Sequence, residues 1–449
     1  MKKKLKTIAI QGFGFVGAVN SVNVAVSSHL KDYQVLCFEK KNARTVKIFD
    51  KASKGVFPYN TNDINLVKKF KKLVRAKKIK FTFDNNDYEK ASIVLVTINY
   101  NLKKIKLNKR AFLDSFKEII NKVKKNTLII IESTVPPGTC QFLLEPLLNK
   151  IKKEKKLNLY LSHAFERVTP GKNYLNSCKN TFRVYSGINK KSKLLCKNFL
   201  KKITNYKKFE LTELENTTSS ETCKIIENSY RAVNIAFIDE WMKFSKELNI
   251  NLFSIIDAIK KRQTHNNIML PGLGVGGYCL TKDPYFGNLT SKIYLKDKKL
   301  KFPLSNISLR INNKMTENSL QLINNNYSKS LKNKKILLIG VTYKNDVGDI
   351  RNSPSIELAK KLIKSKAKIY YYDPLVNEQI KNLYKVNTVK DRYDIILLCV
   401  KHENFKKFSF IKFKKMKKTV FFDLNDVLEN KLYEKTKKKC KIYKLAFPC

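Results

Sequence analysis

Apolar residues run through Ile8–Ile10 and give way to glycines at 12, 14 and 17, after which apolar positions recur with helical spacing through "VGAVNSVNVAVSSHL". A short apolar run, a glycine turn and an amphipathic stretch predict strand, loop and helix. A second apolar run, "YQVLCFEK", ends on Glu39, and the runs "ASIVLVTI" and "TLIIIEST" continue a β/α alternation that predicts a parallel sheet. From about Leu211 to Lys261 the pattern becomes helical. Within it "ETCKIIENSYRAVNIAFIDEWMKFSKEL" has no Gly or Pro and predicts a long helix, apolar on one face. Near Lys332 the alternation returns, with "NKKILLIGVTYK", "AKIYYYDP", "YDIILLCV" and "TVFFDLND" as strands between helical segments. The pattern predicts an α/β chain of two doubly wound domains joined by a central helical domain, divided at 1–205, 206–318 and 319–449.

A length of 449 residues and a hydrophobic share of 43% fit several ordinary folded domains. The formal net charge of +54 is unusual, and a basic surface of that size attracts anions of any kind. The excess is nearly all Lys, spread along the chain with abundant Asn and Ile, while Arg is scarce. That distribution reads as compositional drift rather than a nucleic-acid patch, and no nucleic-acid partner is expected. Lys-rich runs such as Lys412–Lys418 read as solvated faces. Nine cysteines with no C-x-x-C pair argue against a disulfide framework and against a zinc site, so no metal is expected and a reducing cytoplasm fits. The basic start resembles a secretion signal, but Gln11, Asn20 and Asn23 break its apolar run. No stretch approaches the roughly 20 apolar residues of a membrane span, and no membrane association is expected.

Gly12, Gly14 and Gly17 have the G-x-G-x-x-G spacing between a strand and a helix, and Glu39 follows at about the 20-residue distance of an acid that holds a ribose diol. Together they predict a Rossmann-like dinucleotide fold. On the long helix, Lys224 and Asn228 share a face one turn apart, where an ammonium and an amide can hold one substrate oxygen. Glu166, in "SHAFERVTPGK", and Ser133 and Thr134, in "IESTVPPGT", follow predicted strands, and strand carboxyl ends face the ligand crevice of such sheets. In "PGLGVGGYCLTKDP" glycines precede Cys279 while Lys282 and Asp283 follow it. Exposed backbone N–H groups and a nearby cation suit a nucleophilic thiolate. A dinucleotide fold with such a thiol fits a four-electron oxidation of CH2OH to carboxylate, through a thiohemiacetal and a thioester.

These motifs, "GFGFVG", "ESTVPPGT", "FERVTPG", "ETCKIIENSYRAVNIAFIDE", "PGLGVGGYCLTKDP" and "GVTYKNDVGDIRNSPS", resemble in order those of the UDP-glucose/GDP-mannose dehydrogenases, the nucleotide-sugar 6-dehydrogenases. The resemblance implies that Cys279 is the nucleophile and that Lys224 and Asn228 bind the reacting oxygen. It implies that Asp283 and Thr134 position and activate water, with Glu166 serving thioester hydrolysis. It assigns Gly12, Gly14, Phe15, Val16, Gly17, Glu39, Arg44, Thr134, Lys282 and Arg351 to NAD. Gly276, Gly277, Lys344, Lys224 and Glu166 fall to a UDP-sugar substrate. The chain departs from the family at Ile98–Asn101, where Pro-Thr-Pro is common and where Asn99 and Tyr100 stand instead. It departs again at Phe165, where Pro commonly precedes the glutamate, and at Tyr278, where His or Ser often precedes the cysteine. The sugar is left open among UDP-glucose, UDP-N-acetylglucosamine, UDP-N-acetylmannosamine and GDP-mannose, with "GVGGYCL" nearer the N-acetylhexosamine branch. The alternative is a two-electron β-hydroxyacid-type dehydrogenase, which needs neither Cys279 nor a third domain. The apolar-faced long helix suits a homodimer interface.

Overall fold

The computed structural model describes residues 5–103, 106–108, 110–295, 300–389, 392–406 and 418–447; Lys412–Lys417 of the lysine run named above and Cys449 lie outside them. The chain divides into two compact units, one of Met1–Glu227 with Phe286–Lys301, the other of Asn228–Tyr285 with Phe302–Cys449.

The first unit holds β1 (Lys6–Gln11), β2 (Tyr33–Phe38), β3 (Ile79–Thr82) and β4 (Ala91–Val96), then a small hairpin of β5 (Asn101–Lys103) and β6 (Lys106–Asn108). Its main sheet continues with β7 (Leu128–Ile131), β8 (Tyr160–His163), β9 (Arg183–Gly187) and β10 (Leu211–Glu213). The order β10-β9-β8-β7-β4-β1-β2-β3 reverses direction between β1 and β4, which is the crevice position of a doubly wound sheet. All neighbours are parallel except the β8–β9 pair. Every residue of β7 is buried, as expected for a parallel strand covered on both faces. Phe13 is buried against Phe49 and Phe81, with ring centroids 5.8 and 5.2 Å away, and anchors the glycine loop in this core.

Among the described residues the second unit has six parallel strands, β11 (Lys335–Ile339), β12 (Lys368–Tyr372), β13 (Tyr384–Lys385), β14 (Ile395–Leu398), β15 (Val420–Asp423) and β16 (Ile442–Lys444). They run in the order β13-β12-β11-β14-β15-β16, again reversing beside the first strand. Both Rossmann-like sheets and the helical middle expected from the sequence are present.

The helical stretch expected over Leu211–Lys261 is divided. Leu211–Glu213 is an edge strand, a helix of 31 residues runs from Thr217 to Glu247, and a shorter one runs from Leu252 to Lys260. Asparagines make the break: Asn249 takes a left-handed φ of 52°, and the Asn251 side chain accepts the N–H groups of Phe253 and Ser254 as the next helix cap. Among the described residues no helix is long and apolar enough to cross a membrane.

Candidate active site

In the first unit, the loop after β1 is shaped by glycine. Gly12 has a φ of 96°, and its N–H reaches Phe38 O at 3.0 Å. A Cβ on Gly17 would lie 1.9 Å from Gly12 O, so the first helix, Phe15–Ala25, can cross the strand end only with glycine there. At Gly14 a Cβ would meet nothing within 4 Å, and the residue caps that helix without a side-chain bond. The helix N-terminus thus opens outward, as a pyrophosphate requires. Glu39, half-buried at the end of β2, accepts the Phe13 N–H at 2.6 Å. Burial raises its pKa above the usual range, against the opposing pull of the Phe13 and Lys40 N–H groups and of Arg44. Arg44 stands in the first turn of the helix Ala43–Ser53, and Phe15 stacks on Tyr59 with centroids 4.4 Å apart. The residues fit a dinucleotide.

The second unit repeats this loop with a different outcome. Gly340 has a φ of 88°, its N–H reaches Tyr372 O at 2.9 Å, and the Val341 N–H reaches Asp373 at 2.8 Å. Asp373, however, is buried, and it also binds the N–H groups of Thr342 and Leu375 and the His402 ring. Burial raises its pKa, but the His402 interaction and the Val341 and Leu375 N–H groups together outweigh that and leave it below the ordinary value. Its carboxylate is taken up within the protein, whereas Glu39 stays partly exposed.

Thr134 follows β7 in a loop held from two sides. Ser133 Oγ donates to Ile98 O at 2.6 Å, and Glu221 of the long helix accepts the N–H groups of Gly138 at 2.6 Å and Cys140 at 2.8 Å. Glu221 is fully buried, and burial pushes its pKa up to about 7 against those hydrogen bonds. Glu166, after β8, is bound by Arg183 and lies 3.4 Å from Asn20 Nδ2. Lys224 Nζ sits 5.1 Å above the Phe165 ring and 3.9 Å from Glu227. The departure at Phe165 therefore supplies an aromatic face, on whose ring Arg167 also rests at 5.0 Å.

In the second unit, buried Asn228 donates to Asp283 Oδ2 at 2.7 Å, and Lys282 Nζ lies 2.5 Å from the other oxygen of that carboxylate. Cys279 is exposed, and its carbonyl accepts the N–H groups of Lys282 and Asp283. Two cations lie over the Tyr278 ring, Lys282 Nζ at 4.7 Å and Arg351 at 5.6 Å from its centroid. Arg351 binds Asp349 through both its Nε and its Nη2. The Gly277 N–H reaches Arg351 O at 3.0 Å, and Asn352 Nδ2 grips Gly277 O at 2.8 Å. A Cβ on Gly276 would come within 2.7 Å of Tyr343, and one on Gly277 within 2.6 Å of its ring. The glycines before Cys279 are thus required by the chain's own packing. Lys344 is exposed; partial desolvation and then the Arg231 charge lower its ammonium pKa.

The candidates thus divide between the units: the glycine loop, Phe15, Val16, Glu39, Arg44, Thr134, Glu166 and Lys224 belong to the first, and Asn228, Gly276, Gly277, Cys279, Lys282, Asp283, Lys344 and Arg351 to the second. The sequence reading missed Asn20, Glu132, Arg183 and Glu221, although a charge ending the apolar run "LIIIE" marks Glu132.

Three models of one family match the chain in order, its NAD binding domain over residues 6–209, its central domain over 218–314 and its UDP binding domain over 337–430. The chain belongs to the UDP-glucose/GDP-mannose dehydrogenase family. This dehydrogenase is 28% identical over 438 residues to the UDP-N-acetyl-D-mannosamine dehydrogenase of Methanocaldococcus jannaschii, covering 96% of this chain and 94% of that one. It is 25% identical over 444 residues to the UDP-glucose 6-dehydrogenase of Rickettsia typhi, covering 95% and 97%. Among solved structures, the UDP-N-acetyl-mannosamine dehydrogenase of Staphylococcus aureus superposes with a TM-score of 0.78 at 25% identity, covering 98% of both chains. This dehydrogenase is an NAD-dependent nucleotide-sugar enzyme, and its UDP binding domain speaks against the two-electron alternative, which needs no third domain.

Proposed function

We propose that this dehydrogenase oxidises the C6 hydroxymethyl of UDP-N-acetyl-D-mannosamine to the carboxylate, with UDP-glucose as the competing substrate. The relatives named for the first sugar support this reading, together with the lean of "GVGGYCL" toward the N-acetylhexosamine branch. NAD, when bound at the glycine loop, supplies the two-electron acceptor for each oxidation. Lys224 and Asn228 hold the C6 oxygen, and the bond from Asn228 to Asp283 fixes the amide. Loss of a hydride and a proton gives the aldehyde. The Cys279 sulfur adds to its carbon while the aldehyde oxygen gains a proton, and loss of a second hydride together with that proton turns the thiohemiacetal into a thioester. A water held by Thr134 and Asp283 then bonds the acyl carbon and passes a proton to Glu166. The C–S bond breaks, and the thiolate is restored.

Lys344 and Arg231 offer two cations to the diphosphate, while Gly276 and Gly277 line the sugar. Val16, Lys282 and Arg351 complete the NAD contacts. The domain boundaries stand at 205/206 and 318/319, the enzyme works in the cytoplasm as a homodimer, and its uronic acid serves polysaccharide biosynthesis. The decisive test is single turnover with a panel of nucleotide sugars. Wild type should give two NADH and one uronic acid, identified by mass. Cys279→Ser should cut acid formation by several powers of ten, roughly 4 kcal/mol or more, because a hydroxyl is far less ionised than a thiol. Acid made by the variant at the wild-type rate overturns the covalent route, and one NADH per sugar restores the two-electron alternative.

A further inference from the structure

Behind Glu166 lies a buried cluster with more negative than positive groups. Arg183, only 1% exposed at the start of β9, donates through Nη2 to Glu132 Oε1 at 2.9 Å and through Nη1 to Glu166 Oε2. The same Nη2 also reaches Ala164 O at 2.9 Å. From the first helix, buried Asn20 donates to Glu132 Oε2 at 2.6 Å and approaches Glu166 Oε2 at 3.4 Å. Three neighbouring strands and the helix that opens at the glycine loop therefore converge on one pair of carboxylates.

One guanidinium faces two carboxylates. With both ionised, the cluster carries an excess negative charge away from water, a costly arrangement unless a proton relieves it. Glu132 responds accordingly: burial pushes its pKa up to about 7, Arg183 pulls against that, and the Glu166 charge adds to it. Cys178, Cys196 and His163 lie within electrostatic reach of the cluster, and beyond them Asp63 acts on Cys178, Glu213 on Cys196 and Lys224 on His163. Burial raises both thiols and holds His163 neutral, with a pKa lowered to about 3. A cluster built only for stability would match its charges or do without them. This one keeps a spare carboxylate beside the residue assigned to thioester hydrolysis.

We propose that Arg183, Glu132 and Asn20 are positioning residues for Glu166, and that the excess charge of Glu132 is what makes Glu166 a proton acceptor in thioester hydrolysis. This rests on the role given to Glu166 above. With Glu132 ionised, the proton that Glu166 takes from the attacking water brings the cluster to neutrality. With Glu132 neutral, the same transfer leaves an unpaired positive charge. Thioester hydrolysis should therefore accelerate as Glu132 loses its proton around neutral pH.

Quenched-flow single turnover, with the Cys279 thioester measured by mass, tests this. In wild type the thioester should decay faster as pH rises through about neutrality. Glu132→Gln should lose that rise and accumulate thioester on the order of tenfold or more above neutral pH, with the first NADH phase unchanged. Arg183→Lys, which keeps the charge but not the two-pronged geometry, should slow decay and keep the wild-type pH dependence. If Glu166→Gln accumulates thioester while Glu132→Gln matches wild type in rate and pH profile, the proposal fails and the role of Glu166 stands. If Glu166→Gln hydrolyses thioester normally, that role itself fails. Should Glu132→Gln not fold, infrared difference spectra of wild type should show a buried carboxylic acid band titrating near neutrality, and its absence overturns the proposal.

Discussion

Phe165 shows how a substituted residue can take on new work. Where the family commonly has Pro, this chain places a fully buried ring beneath Lys224, the residue proposed to hold the C6 oxygen. A cation over an aromatic face gains about 1 kcal/mol, and a flexible lysine gains a fixed position as well. Phe165→Leu should therefore lower kcat/KM for the nucleotide sugar about fivefold. A lower Tm with unchanged kcat/KM would reduce the ring to packing alone. At Lys344 the expected effect falls on binding: Lys344→Ala should raise KM for the nucleotide sugar more than it lowers kcat. An unchanged KM removes Lys344 from the substrate site. The residues legible in the sequence, the glycine loop, Glu39, Lys224, Asn228 and Cys279, are those whose spacing carries their meaning. Arg183, Glu132 and Asn20 lie on separate elements up to 163 positions apart, so no local period links them. The sheet order, which sets β7, β8 and β9 side by side with β9 antiparallel to β8, and the packing of the first helix against it bring them to one point.

At the scale of elements, strand and loop positions followed from apolar runs and glycines, while the break in the helical middle depended on single asparagines that propensity alone does not weigh. The long helix also acts on a distant loop. Its Glu221 accepts two N–H groups of the Pro136–Cys140 turn and so supports the loop carrying Thr134. Because burial raises this carboxyl from 4.5 to about 7, the folded state binds its proton more tightly than the unfolded chain does. The resulting stabilisation is fully present below about pH 4.5 and is lost as pH rises through about 7, on the order of 3 kcal/mol. Glu132 works in the same direction, whereas His163, lowered to about 3, contributes stability above its ordinary value of 6.5 that is lost as pH falls. Glu221→Gln, neutral at every pH, should show a smaller fall in urea midpoint between about pH 5 and 8 than wild type. Parallel pH curves for the two proteins would mean that Glu221 does not carry the effect.

At the scale of the whole molecule, charge and shape make opposing demands. A net charge of +54 makes two copies repel, yet one face of the long helix and its end carry Tyr230, Phe237, Trp241, Phe244 and Leu248, each between 46% and 55% exposed. They recur at steps of three, four and seven residues, the spacing of an apolar seam rather than of scattered surface residues. Along an α-helix they span about 27 Å. Trp241 lies edge-on to Phe237 and Phe244, with ring centroids 6.2 and 5.4 Å away, so the aromatic surface is continuous. A stripe of this kind is covered when two copies pair through it, and that is how the proposed homodimer would form. The association should then strengthen with salt, because screening weakens the repulsion between copies while apolar burial is kept. A dimer held by ion pairs would weaken instead. Sedimentation velocity should show a dimer whose dissociation constant falls as salt is raised, and Trp241→Glu combined with Phe244→Glu should give a monomer at every salt concentration. A wild-type monomer at high protein and high salt, or a dimer unaffected by the two glutamates, would move the interface away from this helix.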